Sequence, residues 1–218
     1  MAKKEKKKLN KVSRWFRTLR RAEPFLYRPF FPYKKYGHTE MFKDRAYIFV
    51  GNHLSVLDVV FPAVSTNRAV HFMAKKSLFE KGLMKKFVNK CECIPVNRDG
   101  TDVKAVMLAM KYLKMGENVV IFPEGTRTKT GRMGDFKRGA FMLAGEFRLP
   151  VVPLSIQGAY DIMPKDSYFP RAGKITLTIH KPIYPGEKGF NSKLLLAQCH
   201  DTIAETLGEK EIHSTEAK

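Results

Sequence analysis

Ala46-Tyr47-Ile48-Phe49-Val50-Gly51-Asn52-His53-Leu54-Ser55-Val56-Leu57-Asp58 is the stretch whose reading decides the fold. Its first five residues are an unbroken apolar and aromatic run, the composition of a strand inside a buried sheet. Gly51 and Asn52 break the run, and a helical pattern takes over at about residue 57. A strand that passes through a short turn into a helix is the repeating unit of an α/β domain.

The same alternation extends over most of the chain. Strand patterns rich in Val, Ile and Phe lie at 46–50, 69–74, 93–96, 118–122, 151–156 and 174–179. Helical patterns occupy about 57–66, 78–90, 102–115, 136–148 and 192–207. This predicts a mixed, largely parallel α/β sheet flanked by helices. The polar–apolar alternation of 174–179 predicts an edge strand. With 218 residues the chain can bury one substantial core. The expected division is a basic, aromatic membrane-association segment over 1–45, a main domain over 46–208, and a tail over 209–218.

Charge sets the N-terminal segment apart. The chain carries a formal +19, and residues 1–45 hold fifteen Lys or Arg against four acids. From Leu9 on, Val12, Trp15, Phe16 and Leu19 recur at helical spacing, while Lys11, Arg14, Arg17, Arg20 and Arg21 take the other face. The pattern predicts a basic amphipathic helix lying at an anionic bilayer surface, with docking on the protein's own core as the alternative. No apolar stretch reaches the ~18 residues that span a bilayer, and no signal peptide is visible. The protein is expected to be peripheral or monotopic on a membrane. Cys91, Cys93 and Cys199 are odd in number and wrongly spaced for a zinc knuckle, which predicts reduced thiols and no metal.

Loops beyond the carboxyl ends of strands are where open α/β sheets place their chemistry. His53 follows the first predicted strand, and Asp58 lies five residues on, close enough to hold one tautomer of the imidazole. Alone the spacing is short and common, and a cap from Asn52 or Ser55 with His53 incidental is the better account of it. Phe122-Pro123-Glu124-Gly125-Thr126-Arg127 follows another strand. Its tight loop, Thr126 hydroxyl, backbone N–H groups and Arg127 fork suit an oxyanion or phosphate. Ile94-Pro95-Val96-Asn97-Arg98 places a second Arg past a strand end, and Lys75 is a further candidate for phosphate.

Together these blocks resemble the glycerolipid acyltransferases of the 1-acylglycerol-3-phosphate acyltransferase (PlsC-like) family. N-H-x4-D stands at 52–58, I-P-V-x-R at 94–98, F-P-E-G-T-R at 122–127 and V-P-L at 152–154, in order over about residues 46–160. The resemblance implies that His53 is the general base and Asp58 orients it. It implies that Arg98, Arg127, Gly125 and Thr126 hold the acceptor's phosphate, that Glu124 fixes the loop and pairs with an Arg, and that the V-P-L block shapes the site or an acyl tunnel. The implied reaction moves an acyl group from acyl-ACP or acyl-CoA, as co-substrate and with no cofactor, onto the sn-2 hydroxyl of 1-acylglycerol-3-phosphate at the cytoplasmic face of the cell membrane. No G-x-S-x-G elbow is present, which agrees with direct transfer.

Two alternatives stay open on the sequence. The acceptor is another lysolipid or glycerol-3-phosphate, or the chain is a non-enzymatic basic module for membrane or nucleic acid. No recognisable nucleic-acid signature is present, so nucleic acid is not an expected partner.

Overall fold

The computed structural model of the chain describes residues 18, 20–22, 25, 29–38, 45–66, 68–80, 82–97, 102–167, 169–186 and 191–209. Seven strands form one sheet: β1 (Tyr33–Gly37), β2 (Ile48–Gly51), β3 (Val70–Lys75), β4 (Ile94–Val96), β5 (Asn118–Ile121), β6 (Val151–Gln157) and β7 (Ile175–Ile179). Their order is β1-β7-β6-β2-β5-β3-β4. From β6 to β4 all neighbours are parallel; β7 runs antiparallel to β6 and parallel to β1.

Helices cover both faces, as buried parallel strands require. They are α1 (Val60–Ser65), α2 (Gly82–Lys90), α3 (Val103–Lys114), α4 (Gly139–Glu146), α5 (Ala159–Ile162) and α6 (Ser192–Leu207). The central strand β2 shows how sequence becomes layers. Phe49 packs on one side with Phe61, Val120 and Ile156, whereas Ile48 and Val50 pack on the other with Val119, Phe141 and Cys199. Phe49, Phe61 and Phe141 are fully buried, so truncating any of them to Ala costs about 3–5 kcal/mol. Cys91, Cys93 and Cys199 are buried free thiols within these cores.

The mixed, mostly parallel sheet matches the sequence reading, with differences in detail. The expected edge strand is internal: β1 pairs with β7 from Tyr33↔Ile175 to Gly37↔Ile179. Its alternation reflects faces of unequal burial, because Ile175, Leu177 and Ile179 point into the core while Thr176 and Thr178 are half-buried. β1 itself falls inside the 1–45 segment assigned to the membrane. The pattern at 136–148 becomes a helix only from Gly139, because the N–H of Lys137 is bonded to Pro123 O at 3.0 Å, folding that stretch onto the loop after β5. On α4 itself, Met142 is exposed.

Residues 1–17, with Trp15 and Phe16 of the expected amphipathic helix, lie outside the described residues. Arg20 donates to the carbonyls of Thr66 at 2.7 Å and Ala63 at 3.4 Å, a cation placed at the carboxyl end of α1. Among the described residues no helix is long and apolar enough to cross a membrane.

Candidate active site

The turn after β2 is built around a single carboxylate oxygen. Asp58 Oδ2 accepts the N–H of Leu54 and of Ser55 at 2.7 Å each and lies 2.9 Å from His53 Nδ1. Ser55 is the N-cap of the one-turn 3-10 segment Val56–Val59, and Asp58 completes a capping box with it. The cap that the sequence offers and the His53–Asp58 contact are therefore both present in this turn. Asn52 does different work: its amide makes two bonds with Ile156 of β6, at 2.8 and 2.9 Å, locking the turn to the neighbouring strand.

Asp58 is fully buried, and burial raises its pKa against the opposing hydrogen bond from His53 and those from the backbone. An ionised Asp58 only accepts; against it His53 Nδ1 carries the proton and Nε2 is left to take one. The imidazole is stacked on Phe122, with ring centroids 4.2 Å apart and planes at 14°. Its side chain is 17% exposed, enough to meet a substrate.

The loop after β5 meets this turn directly. Glu124 Oε1 accepts the N–H of His53 at 2.7 Å, Oε2 accepts that of Gly134 at 3.0 Å, and Thr128 N donates to His53 O at 2.9 Å. Glu124 fixes the loop as expected, through main-chain donors rather than through an Arg. Its burial pushes the carboxyl up to about 7, against the pull of those two bonds. Gly125 adopts φ +75°, a left-handed turn that favours glycine, and a Cβ there would sit 3.2 Å from Lys137 Nζ. Among the described residues, nothing accepts the N–H of Thr126 or Arg127 and nothing pairs with the Arg127 guanidinium. These donors are available to an anion.

A cavity of about 380 Å³ opens beside His53. Met73, Val96, Val106, Ile121 and Leu143 give it apolar walls, and Lys75, Asp102, Gly125 and Lys137 lie along it. The V-P-L block is not among its lining residues. Val152 and Leu154 belong to the core of the opposite face, so that block acts as packing. Asp102 accepts the N–H of Asn97 at 2.8 Å and caps α3 through Ala105 N at 3.0 Å, which holds its carboxyl below the usual range.

The structure thus gathers His53, Asp58, Glu124, Gly125, Thr126 and Arg127 on adjoining strand ends, with exposed Lys75 at the end of β3 on the cavity wall. Arg98 lies outside the described residues. Sequence reasoning missed Lys137 and Lys165, the latter donating to Thr126 Oγ1 at 3.1 Å. Both are single cations in a chain with forty Lys and Arg, and nothing in their local sequence marks them.

Fold and site define a class first: an α/β protein with a hydrogen-bonded His–Asp pair at the centre of its sheet, a loop with open anion donors beside it and a cavity with apolar walls next to the pair. The family model described as Acyltransferase matches residues 33–157. A 1-acyl-sn-glycerol-3-phosphate acyltransferase of Bacillus subtilis is 30% identical over 180 residues, covering 82% of this chain and 87% of that protein. A chloroplastic enzyme of the same name from Brassica napus is 34% identical over 167 residues, covering 75% of this chain and 47% of that protein. The crystal structure of PlsC, the 1-acyl-sn-glycerophosphate acyltransferase of Thermotoga maritima, superposes with a TM-score of 0.74 at 27% identity, covering 95% of this chain and 81% of that one. This chain belongs to the acyltransferase family. It spans about half the length of the plant relatives it matches.

Proposed function

We propose that the protein transfers an acyl group from acyl-ACP or acyl-CoA to the sn-2 hydroxyl of 1-acyl-sn-glycerol-3-phosphate, giving phosphatidate. The observation that carries the reading is the 2.9 Å contact between His53 Nδ1 and Asp58, set beside a loop with unpaired anion donors and an apolar cavity. His53 Nε2 takes the acceptor hydroxyl's proton as its oxygen attacks the thioester carbonyl. The tetrahedral intermediate then expels the thiolate, which leaves with the proton from the imidazolium. Asp58 stabilises that charged ring. Thr126 and Arg127, with Arg98 and Lys75, hold the phosphate; the cavity takes an acyl chain. The homologues named above are called acyltransferases for this acceptor, which supports the choice over another lysolipid or glycerol-3-phosphate.

Purified protein given a thioester donor and lysophosphatidate is expected to form phosphatidate, and His53→Ala to abolish turnover while unfolding at the wild-type temperature. Full activity in His53→Ala sinks the mechanism. The basic N-terminal segment supports action at an anionic membrane surface, at its cytoplasmic face. Removing residues 1–28, which spares β1, is expected to weaken binding to phosphatidylglycerol vesicles; unchanged binding counts against the anchor.

A further inference from the structure

We propose that Lys165 supplies a further cation to the acceptor's phosphate, from a segment that straps the two active-site loops together; this rests on the acceptor reading above. Beyond β6 the chain forms α5 and then the stretch 163–167, and three hydrogen bonds tie this region to the site. Ser55 Oγ donates to Met163 O at 2.7 Å, which reaches the turn carrying His53 and Asp58. Tyr160 OH donates to Lys129 O at 2.7 Å, and Lys165 Nζ to Thr126 Oγ1 at 3.1 Å, which reach the loop carrying Thr126 and Arg127. The segment bonds to both loops from outside them.

An ammonium has three N–H donors and no acceptor. Thr126 Oγ1 takes one, and two remain. Among the described residues Lys165 forms no ion pair with nearby Asp161 or Asp166, so its charge is not neutralised in place. Thr126 is exposed, and among the described residues its N–H, the N–H of the adjacent Arg127 and the Arg127 guanidinium have no partner. A phosphate dianion seated there meets main-chain donors, a planar fork and an ammonium, a set suited to two or three phosphate oxygens.

A mere tie between segments needs only a donor to Thr126, whereas a phosphate contact needs the charge. Lys165→Gln separates the two roles. Binding of 1-hexanoylglycerol 3-phosphate and of 1-hexanoylglycerol, which lacks the phosphate, is measured by calorimetry on the full chain. Lys165→Gln and Lys165→Ala are expected to weaken the phosphorylated ligand about ten-fold and leave the other unchanged, with Lys165→Arg restoring it. Wild-type affinity in Lys165→Gln, or equal weakening of both ligands, overturns the proposal. Acyl transfer by the wild type to the phosphorylated ligand is assayed alongside. Binding without transfer rejects the acceptor reading while the binding ratio still decides on Lys165, and absence of binding by the wild type rejects both.

Discussion

The Glu124 carboxylate accepts the main-chain N–H of His53 at 2.7 Å, so His53 is placed by a residue from another loop. Its own turn orients the ring through Asp58, while Glu124 and the Thr128 N–H position the backbone that carries it. Hydrogen bonds join the two loops across β2 and β5, and losing either half is expected to shift the imidazole of His53. Misplacement on the ångström scale costs rate strongly, because the reacting atoms must be held in a near-attack geometry.

Replacing Asp58 with Asn separates activity from stability. The amide can still accept from Leu54 and Ser55 but no longer charges against the imidazolium, so kcat is expected to fall about 10³–10⁴-fold with little change in KM. Because burial raises the pKa of Asp58, its contribution to stability is full below the unfolded pKa and is lost as pH rises through the folded one, so ionising it opposes folding. Thermal melts at neutral pH are therefore expected to show Asp58→Asn at least as stable as the wild type. A variant that melts early would show that Asp58 is structural before it is functional.

Glu124 gives a pH signature. Its folded pKa of about 7 stands above the ordinary 4.5, so the native state holds a proton that the unfolded chain has lost between those values. Stability from this group is full below about pH 4.5 and is lost as pH rises to about 7, on the order of 2–3 kcal/mol. Denaturant unfolding of the wild type and Glu124→Gln across pH 4.5–8 reads this directly. The wild type is expected to lose ground to the variant as pH rises through the window; parallel curves would refute it.

Val106 is half-buried on α3 and lines the cavity beside His53. Val106→Phe fills that space without adding volume to a fully packed position, where overpacking costs about 1–3 kcal/mol. In competition between thioesters of different chain length, the variant is expected to favour shorter chains. An unaltered preference would place the acyl chain elsewhere.

Gly37 ends β1 at φ +88°, and a Cβ there would lie 2.0 Å from Ile179 O. Backbone cannot yield as a flexible side-chain end does, so Gly37→Ala is expected to cost about 2 kcal/mol or more and to open the β1–β7 pair. Hydrogen exchange at Tyr33–Gly37 should speed up while β2 and β5 stay protected.

The strands at 46–50, 118–122 and 151–156 were legible because they are buried on both faces, and continuous apolar runs bounded by turn residues have few other readings. His53, Asp58 and the 122–127 loop were legible as motifs, since their spacing within single turns is local. What lay beyond the sequence is contact between distant segments. β1 has the polar composition of an exposed edge, so its pairing with β7 shows only in the sheet. The bonds of Asn52 to Ile156, Glu124 to His53 and Lys165 to Thr126 join residues 104, 71 and 39 positions apart. By itself the sequence determined the layers and the chemical groups; only the tertiary structure decided which groups meet, because the sheet order β6-β2-β5 brings together strand ends that the chain leaves far apart.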